Sequence, residues 1–298
     1  MRITRVSSAL LLVISALLLL PALVQAQDLP PGVSVTCDNG ATFENGVEVI
    51  IIQMRSGFTY TATAIGIDGF DPVLAVLDES GDGLCNDDAP EAAEYEIDLP
   101  TTGRVNGTSF SSQVTFDQNS SEAFADISII VGGYNSMVGE FVLVVEGMAV
   151  TAADGSGDPF NVRLTPGMVA SGVPFTTYMI GRETSVDPLF YRIDSDMNAI
   201  EDSDGNVVAC DDGGDASRCW GESISLDGST ISDGARTVEA DAFDSMLSFD
   251  LNGLELNDDP DFNFFNFLFT SYNQSTTGQY VLAFHMGTAE VEGGSAGK

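Results

Sequence analysis

The stretch GEFVLVVEG, residues 139–147, returns near the end of the chain as GQYVLAFHMG, residues 278–287. In the first copy Phe141, Leu143 and Val145 occupy alternate positions, and the second copy has the same alternation of bulky apolar residues. A period of two places such residues on one face of a β-strand. We therefore predict a closing strand in each of two related halves of the chain.

Three further landmarks precede these strands, in the same order in both halves. The first is a Thr/apolar alternation that ends in Ile-Gly, the second is Asp-Pro with an aliphatic run, and the third is Cys followed shortly by Asp-Asp. Their first copies are residues 58–66, 71–77 and 85–88, and their second copies are residues 175–181, 187–190 and 210–212. Four landmarks in one order indicate a tandem duplication.

Short runs rich in β-branched and aromatic residues fill the rest of each half, separated by Gly, Asp, Asn and Pro. Such runs are typical of strands joined by turns, and the aromatic run 262–269 is predicted to be a core strand, with a ligand platform as the alternative. We predict an all-β protein of two tandem antiparallel β-sandwich, jelly-roll-like domains, each with its own interior. The predicted boundaries are 27–150 for domain 1, 151–158 for a linker, 159–290 for domain 2 and 291–298 for a flexible tail.

Residues 1–26 have the pattern of a secretory signal peptide. Arg2 and Arg5 precede the apolar stretch 9–20, and Val24 and Ala26 are small or aliphatic residues before the expected cleavage site. The apolar stretch is shorter than the roughly 20 residues that a membrane-spanning helix needs. We predict a secreted protein, extracellular or at the cell surface, with no transmembrane segment.

The charge of the chain restricts its partners. There are 45 Asp and Glu against 10 Lys and Arg, which gives a formal net charge of −35. A surface this acidic repels phosphate backbones, so nucleic acid is excluded as a partner, and anionic lipid is disfavoured. The remaining partner class is an extracellular polymer or protein of unknown identity. Solubility through self-repulsion explains the same charge without any ligand.

Four cysteines in an exported chain predict two disulfides, which can pair in three ways. Cys210 and Cys219 lie nine positions apart around an Asp/Gly-rich loop, which favours a local bridge and leaves Cys37 to pair with Cys85. A cysteine metal site is the disfavoured alternative, because no CxxC occurs and no His is close.

The acidic turns are the main candidate site. If residues 71–78 and 84–88 form a hairpin that turns near residue 82, Asp71 meets the Asp87-Asp88 pair at one end. Crowded carboxylates repel one another unless a cation lies among them, and Ca²⁺ accepts such oxygen ligands. The alternative is that Asp and Gly serve turn formation alone. The predicted calcium ligands are Asp71, Asp87, Asp88, Asp187, Asp202, Asp204, Asp211 and Asp212.

Little in the sequence points to catalysis. We predict no catalytic residues, because no H-E-x-x-H or P-loop motif occurs and the only His, His285, lies in the closing strand. Strand alternation places it on the face opposite Leu282, exposed or half-buried. Trp220 is predicted to cover the adjacent disulfide, with stacking on a sugar or peptide as the alternative. A divergent hydrolase that uses paired carboxylates is the least favoured function.

Together these landmarks resemble the bacterial pre-peptidase C-terminal domain family. The matching stretches are residues 57–60, 71–78, 87–88 and 139–144 in the first half, and residues 187–189, 204–206, 211–212 and 278–282 in the second. The resemblance implies a β-sandwich accessory or binding module, sometimes stabilised by calcium, without catalysis of its own. We predict a secreted, non-catalytic module for adhesion or targeting; a structural component of the cell envelope or extracellular matrix is the alternative.

Overall fold

The computed structural model of the protein describes residues 33–119, 122, 124–150, 160–164, 175–182, 186–221, 224–249, 265–272 and 276–288. The predicted signal peptide, linker and C-terminal tail lie outside these residues, so their boundaries stay predictions. Within the described ranges, none of the helices has the length and apolar composition needed to cross a membrane.

Strands make up most of the described chain. In the first half they are β1 Val33–Thr36, β2 Thr42–Arg55, β3 Phe58–Gly66, β4 Pro72–Leu77, β5 Gly83–Asn86, β6 Glu96–Leu99, β7 Gly103–Asn106, β8 Ser112–Gln118, β9 Phe124–Gly133 and β10 Glu140–Val150. In the second half they are β11 Phe160–Leu164, β12 Phe175–Gly181, β13 Pro188–Ile193, β14 Ala209–Cys210, β15 Thr230–Ser232, β16 Thr237–Glu239, β17 Ser245–Phe249, β18 Phe265–Ser271 and β19 Gly278–Gly287. Short 3₁₀ helices occur at Pro90–Glu94, Tyr134–Ser136 and Ala216–Arg218.

These strands form three antiparallel sheets, which confirms the predicted all-β class. The largest sheet has the order β14-β13-β18-β11-β2-β9-β4-β5, with β1 also paired to β2. The second has the order β17-β12-β19-β10-β3-β8, and the third β16-β15-β6-β7. The second sheet is the middle layer, because one of its faces packs on the first sheet and the other on the third.

The order of each sheet shows the duplication directly. Each second-half strand lies at the mirror position of its first-half counterpart, so β11, β12 and β13 correspond to β2, β3 and β4. At the centre of the second sheet Leu143 lies opposite Phe284, and Val145 lies opposite Leu282. Since Leu143 aligns with Leu282 and Val145 with Phe284, this exchange is the pairing expected of an approximate two-fold axis between the halves.

The structure differs from the expectation of a separate interior in each half. One core cluster contains residues of both halves, among them Val49, Leu143, Phe267 and Leu282. The reason lies in the closing strand: in β10 the residues Phe141–Val145 are buried on both faces. An edge strand of this kind would expose apolar surface and unpaired backbone groups, and pairing β10 with β19 removes both from water.

Both expected disulfides are present. Cys37 is bonded to Cys85 and Cys210 to Cys219, with Cα–Cα distances of 5.5 and 4.0 Å. The first joins the segment after β1 to β5, and the second closes a short loop after β14. Bonds of this kind stabilise a fold mainly by restricting the unfolded chain, typically by about 2–4 kcal/mol each.

Candidate functional site

The β4–β5 hairpin of the first half turns through Asp78–Asp82. Its geometry is set by Asp78, whose Oδ1 accepts hydrogen bonds from the backbone N–H groups of Ser80 and Asp82 at 2.9 and 3.1 Å. The Ser80 hydroxyl donates to the same oxygen at 2.6 Å, and this bond is the main reason that the pKa of Asp78 is lowered. Gly81 has a φ of +83°, which suits glycine.

Two loops of the second half repeat this turn, at Asp194–Asn198 and Asp202–Asn206. In each, Oδ1 of the leading Asp accepts backbone N–H groups two and four residues on, at 2.8–2.9 Å. The Asp202 carboxylate also accepts a bond from Trp220 Nε1 at 2.9 Å, and its pKa is lowered to about 2, chiefly by the Asn206 backbone bond. The leading Asp residues therefore have a structural role in turn formation.

A cleft of about 710 Å³ opens beside the first-half hairpin. It lies between the β4–β5 hairpin of the first sheet and the end of β8 in the second. Its floor is apolar: Val76 and Ile127 belong to the shared core, and the half-buried Phe116 ring stacks on Tyr60 at 5.7 Å. At its rim Leu84 is 51% exposed. The cleft is therefore a place where the main core reaches solvent.

The rim of this cleft is acidic. Four carboxylates line it: Asp78, Glu79, Asp82 and Asp117. Its described lining residues include no Lys, Arg or His. Asp117 Oδ1 accepts the Thr59 hydroxyl at 2.6 Å, and Glu79 Oε1 accepts the Asp126 backbone N–H at 3.3 Å. Each of these bonds uses one carboxylate oxygen, so the second oxygen can accept bonds from a ligand. The cleft suits a ligand with an apolar surface and donor or cationic groups beside it.

The corresponding opening in the second half is filled. Strand register aligns Val76 with Arg192 and Ile127 with Phe265, and the Arg192 guanidinium lies 4.3 Å from the Phe265 ring centre. Burial lowers the pKa of Arg192. Trp220 then stacks on Phe249, the counterpart of Phe116, at 5.7 Å. Trp220 packs against the core cluster that contains Cys210 and Cys219. That its ring covers the disulfide stays a prediction.

The predicted calcium ligands of the first half lie at the opposite end of the hairpin, where strands β4 and β5 begin and end. Burial, then repulsion by Asp88 and Asp87, raises the pKa of Asp71. The Asn39 amide donates to Asp87 Oδ1 at 2.5 Å.

In the second half a cation of the chain lies beside two of the predicted ligands. Arg218 pairs with Asp211 at 3.1 Å and with Asp212 at 3.0 Å. The pKa of Asp187 is raised, first by burial and then by the neighbouring carboxylates. Asp202 and Asp204 belong to the separate turn described above. Across the described ranges, no group of three or more His, Cys, Asp or Glu side chains could hold a metal ion. Calcium binding stays a prediction, tested by melting the protein with Ca²⁺ and with EDTA.

His285 is buried, at 2% exposed, rather than exposed or half-buried as expected. It does lie on the strand face opposite Leu282, but the third sheet covers that face. Its Nδ1 is 2.9 Å from the Thr101 hydroxyl, which in turn is 2.5 Å from the Tyr178 hydroxyl. Burial lowers the pKa of His285. This His serves the packing between two sheets.

The cleft was not predicted from the sequence. Its floor residues look like ordinary core positions, and its rim residues look like ordinary turn positions. One signal was available: the positions aligned with Ile127 and Val76 carry larger side chains, Phe265 and Arg192, in the second half. Smaller residues at one of two equivalent positions indicate unfilled space.

Comparison with known proteins adds little. No family model matches the chain, and no curated protein matches it. The resemblance to the pre-peptidase C-terminal domain family therefore stays a prediction. Among solved structures, the chain is similar to the N-terminal CBM22-1–CBM22-2 tandem domain of Xyn10C from Paenibacillus barcinonensis. The identity is 8%, the match covers 82% of this chain and 79% of that one, and the TM-score is 0.20. A likeness this weak carries no argument about function.

Proposed function

We propose that the protein is a secreted, non-catalytic binding module, for adhesion or targeting, that holds an extracellular polymer in the first-half cleft. The observation that carries the proposal is the open cleft itself, with an apolar floor and an acidic rim, at positions where the second half carries the larger Arg192 and Phe265. A concave apolar surface with a few polar groups is the usual form of a binding site.

Two further observations support the proposal. The two disulfides fit an oxidising, extracellular environment. The only His of the chain is buried between two sheets, where it cannot reach a ligand in the cleft. The alternative of a structural envelope or matrix component stays a prediction.

The test is to fill the cleft. Ala125 is half-buried and lines the cleft, so Ala125→Trp should occupy the space without removing a rim carboxylate. Ser34→Trp, on an exposed position of β1, is the matched control. Retention of each protein would be measured on cellulose, chitin, peptidoglycan and immobilised basic and acidic peptides, with circular dichroism as the check on folding.

We expect at least one of these polymers to retain the wild type and the Ser34→Trp variant, and to lose the Ala125→Trp variant. Retention by none of them, or equal retention of all three proteins, would overturn the proposal.

A further inference from the structure

We propose that the polymer held in the cleft is an extended polypeptide with alternating apolar and basic side chains, which adds as a strand to the free edge of β8. This inference rests on the proposed function and specifies the partner class. It follows from three features of the cleft: a strand edge, an apolar floor and an acidic rim.

The strand edge is supplied by β8. Among the described strands, β8 pairs with β3 and ends the order of the second sheet. The edge runs along Ser112–Gln118, and the last part of β8, from Thr115, lines the cleft. An edge strand presents a row of backbone donors and acceptors that an extended peptide can pair with.

The start of the corresponding edge in the second half contacts the disulfide-bonded Cys210. There the Met246 N–H donates to Cys210 Sγ at 3.1 Å, and the Ser245 hydroxyl bonds the Cys210 carbonyl at 2.9 Å. Met246 belongs to β17, the counterpart of β8.

The floor and the rim define the side chains of the added strand. Residues of a strand beside β8 alternate as β8 itself does, where Phe116 points to the cleft floor and Thr115 and Asp117 are exposed. One set of side chains of the peptide therefore enters the apolar space near Val76 and Ile127. The other set lies on the face of Asp117.

Charge decides the nature of the second set. Asp117 lies on the face of the second set, and the other three rim carboxylates belong to the β4–β5 hairpin across the cleft. No basic residue is among the described lining, in a protein whose net charge is −35. Lys or Arg side chains complement this rim, whereas a neutral glycan would leave its charges unpaired. The charge pattern therefore favours a basic peptide over a polysaccharide.

The probe is a peptide of about seven residues, the length of β8, with Lys and Val in alternation. Binding to the full chain would be measured by calorimetry at about 150 mM salt, where exposed charges more than about 8 Å apart are screened. Controls are the alternating Glu/Val peptide and a peptide of the same Lys and Val composition in two blocks. We expect binding by the alternating Lys/Val peptide alone.

Backbone pairing is tested by N-methylation of alternate residues of the Lys/Val peptide. An added strand directs every second N–H toward β8, so methylation at one parity should weaken binding by at least about tenfold, and at the other parity by less than about threefold. Equal effects at both parities, or equal binding of the block peptide, would overturn the inference.

The rim is tested with the variant Glu79→Gln/Asp82→Asn, which keeps the Glu79 acceptor oxygen. The matched control, Glu44→Gln/Glu91→Gln, removes the same charge from exposed positions away from the cleft. We expect peptide binding to weaken by about three- to tenfold in the rim variant only; equal weakening in both would overturn the inference. A polysaccharide that binds the wild type and is lost in Ala125→Trp, with no peptide bound, would overturn it too while leaving the proposed function standing.

Discussion

The two ends of the shared sandwich are built on equivalent strands, yet the positions that form the cleft floor at one end carry larger, packed side chains at the other. In the first half Val76 and Ile127 form the floor of a cleft, whereas Arg192 and Phe265 fill the same positions in the second half. Trp220 adds to that packing by stacking on Phe249. After a duplication, the size of a few core side chains thus decides whether the end of a sandwich is an open cleft or a packed core.

The largest expected effect on the free energy of unfolding is at the second-half end, where Trp220 packs on Phe249. Trp220→Ala should lower the free energy of unfolding by about 3 kcal/mol, because it removes a large ring packed on the core. Phe116→Ala, at the open end, should cost no more than about half as much, since its ring already borders solvent. Urea unfolding followed by far-UV circular dichroism measures both.

The same experiment tests the shared core. Trp220 is the only Trp, so its fluorescence reports on the second half, while circular dichroism reports on all three sheets. The two transitions of the wild type should coincide, because one core cluster spans both halves. Equal losses of unfolding free energy in Trp220→Ala and Phe116→Ala would contradict the contrast between the two ends. Two separate unfolding transitions of the wild type would contradict the shared core.

The next effect depends on pH and is specific to the second half. Asp244 is 3% exposed, and burial raises its pKa to about 7 although the Gly181 and Asp241 N–H groups donate to it at 2.6 and 2.8 Å. Its first-half counterpart is Ser111.

The sign of the pH effect follows from the raised pKa. Between about pH 4 and pH 7 folded Asp244 holds a proton that the unfolded chain releases, so its contribution to stability is full below about pH 4 and falls as the pH rises. The loss between pH 5 and pH 7 is on the order of 2 kcal/mol. Asp244→Asn, which does not titrate, should remove that part of the pH dependence of unfolding, and Ser111→Ala should keep it. The same slope in wild type and Asp244→Asn would show that this carboxyl does not titrate as described.

Much of the fold could be predicted from the sequence because it is recorded in local patterns. Alternation in residues 139–147 and 278–287 gave two closing strands, and the spacing of Cys210 and Cys219 gave a local disulfide that fixed the other pair. The order of the landmarks gave the duplication.

The relation between the halves could not be predicted in the same way. Alternation shows which residues share a face, but the second face of β10 is buried by the third sheet, and one edge of β10 is paired with β19, a strand nearly 140 positions later. The burial of His285 has the same origin, since the third sheet that covers it is formed by short strands of both halves. The cleft depends on differences in side-chain volume between equivalent positions, which become visible only when the halves are superposed.

The smallest expected effect on the free energy of unfolding is a difference between a position at the cleft and a position in the core next to it. Ile127→Phe and Ile129→Phe each introduce the side chain that the second half carries at the aligned position, Phe265 or Phe267. Ile127 borders the cleft, so the larger ring has space, and the free energy of unfolding should change by less than about 0.5 kcal/mol. Ile129 is fully buried, and the same change there should cost at least about 1 kcal/mol through overpacking. Urea unfolding of the two variants measures the difference, and an equal cost at both positions would mean that the first end is as tightly filled as the second.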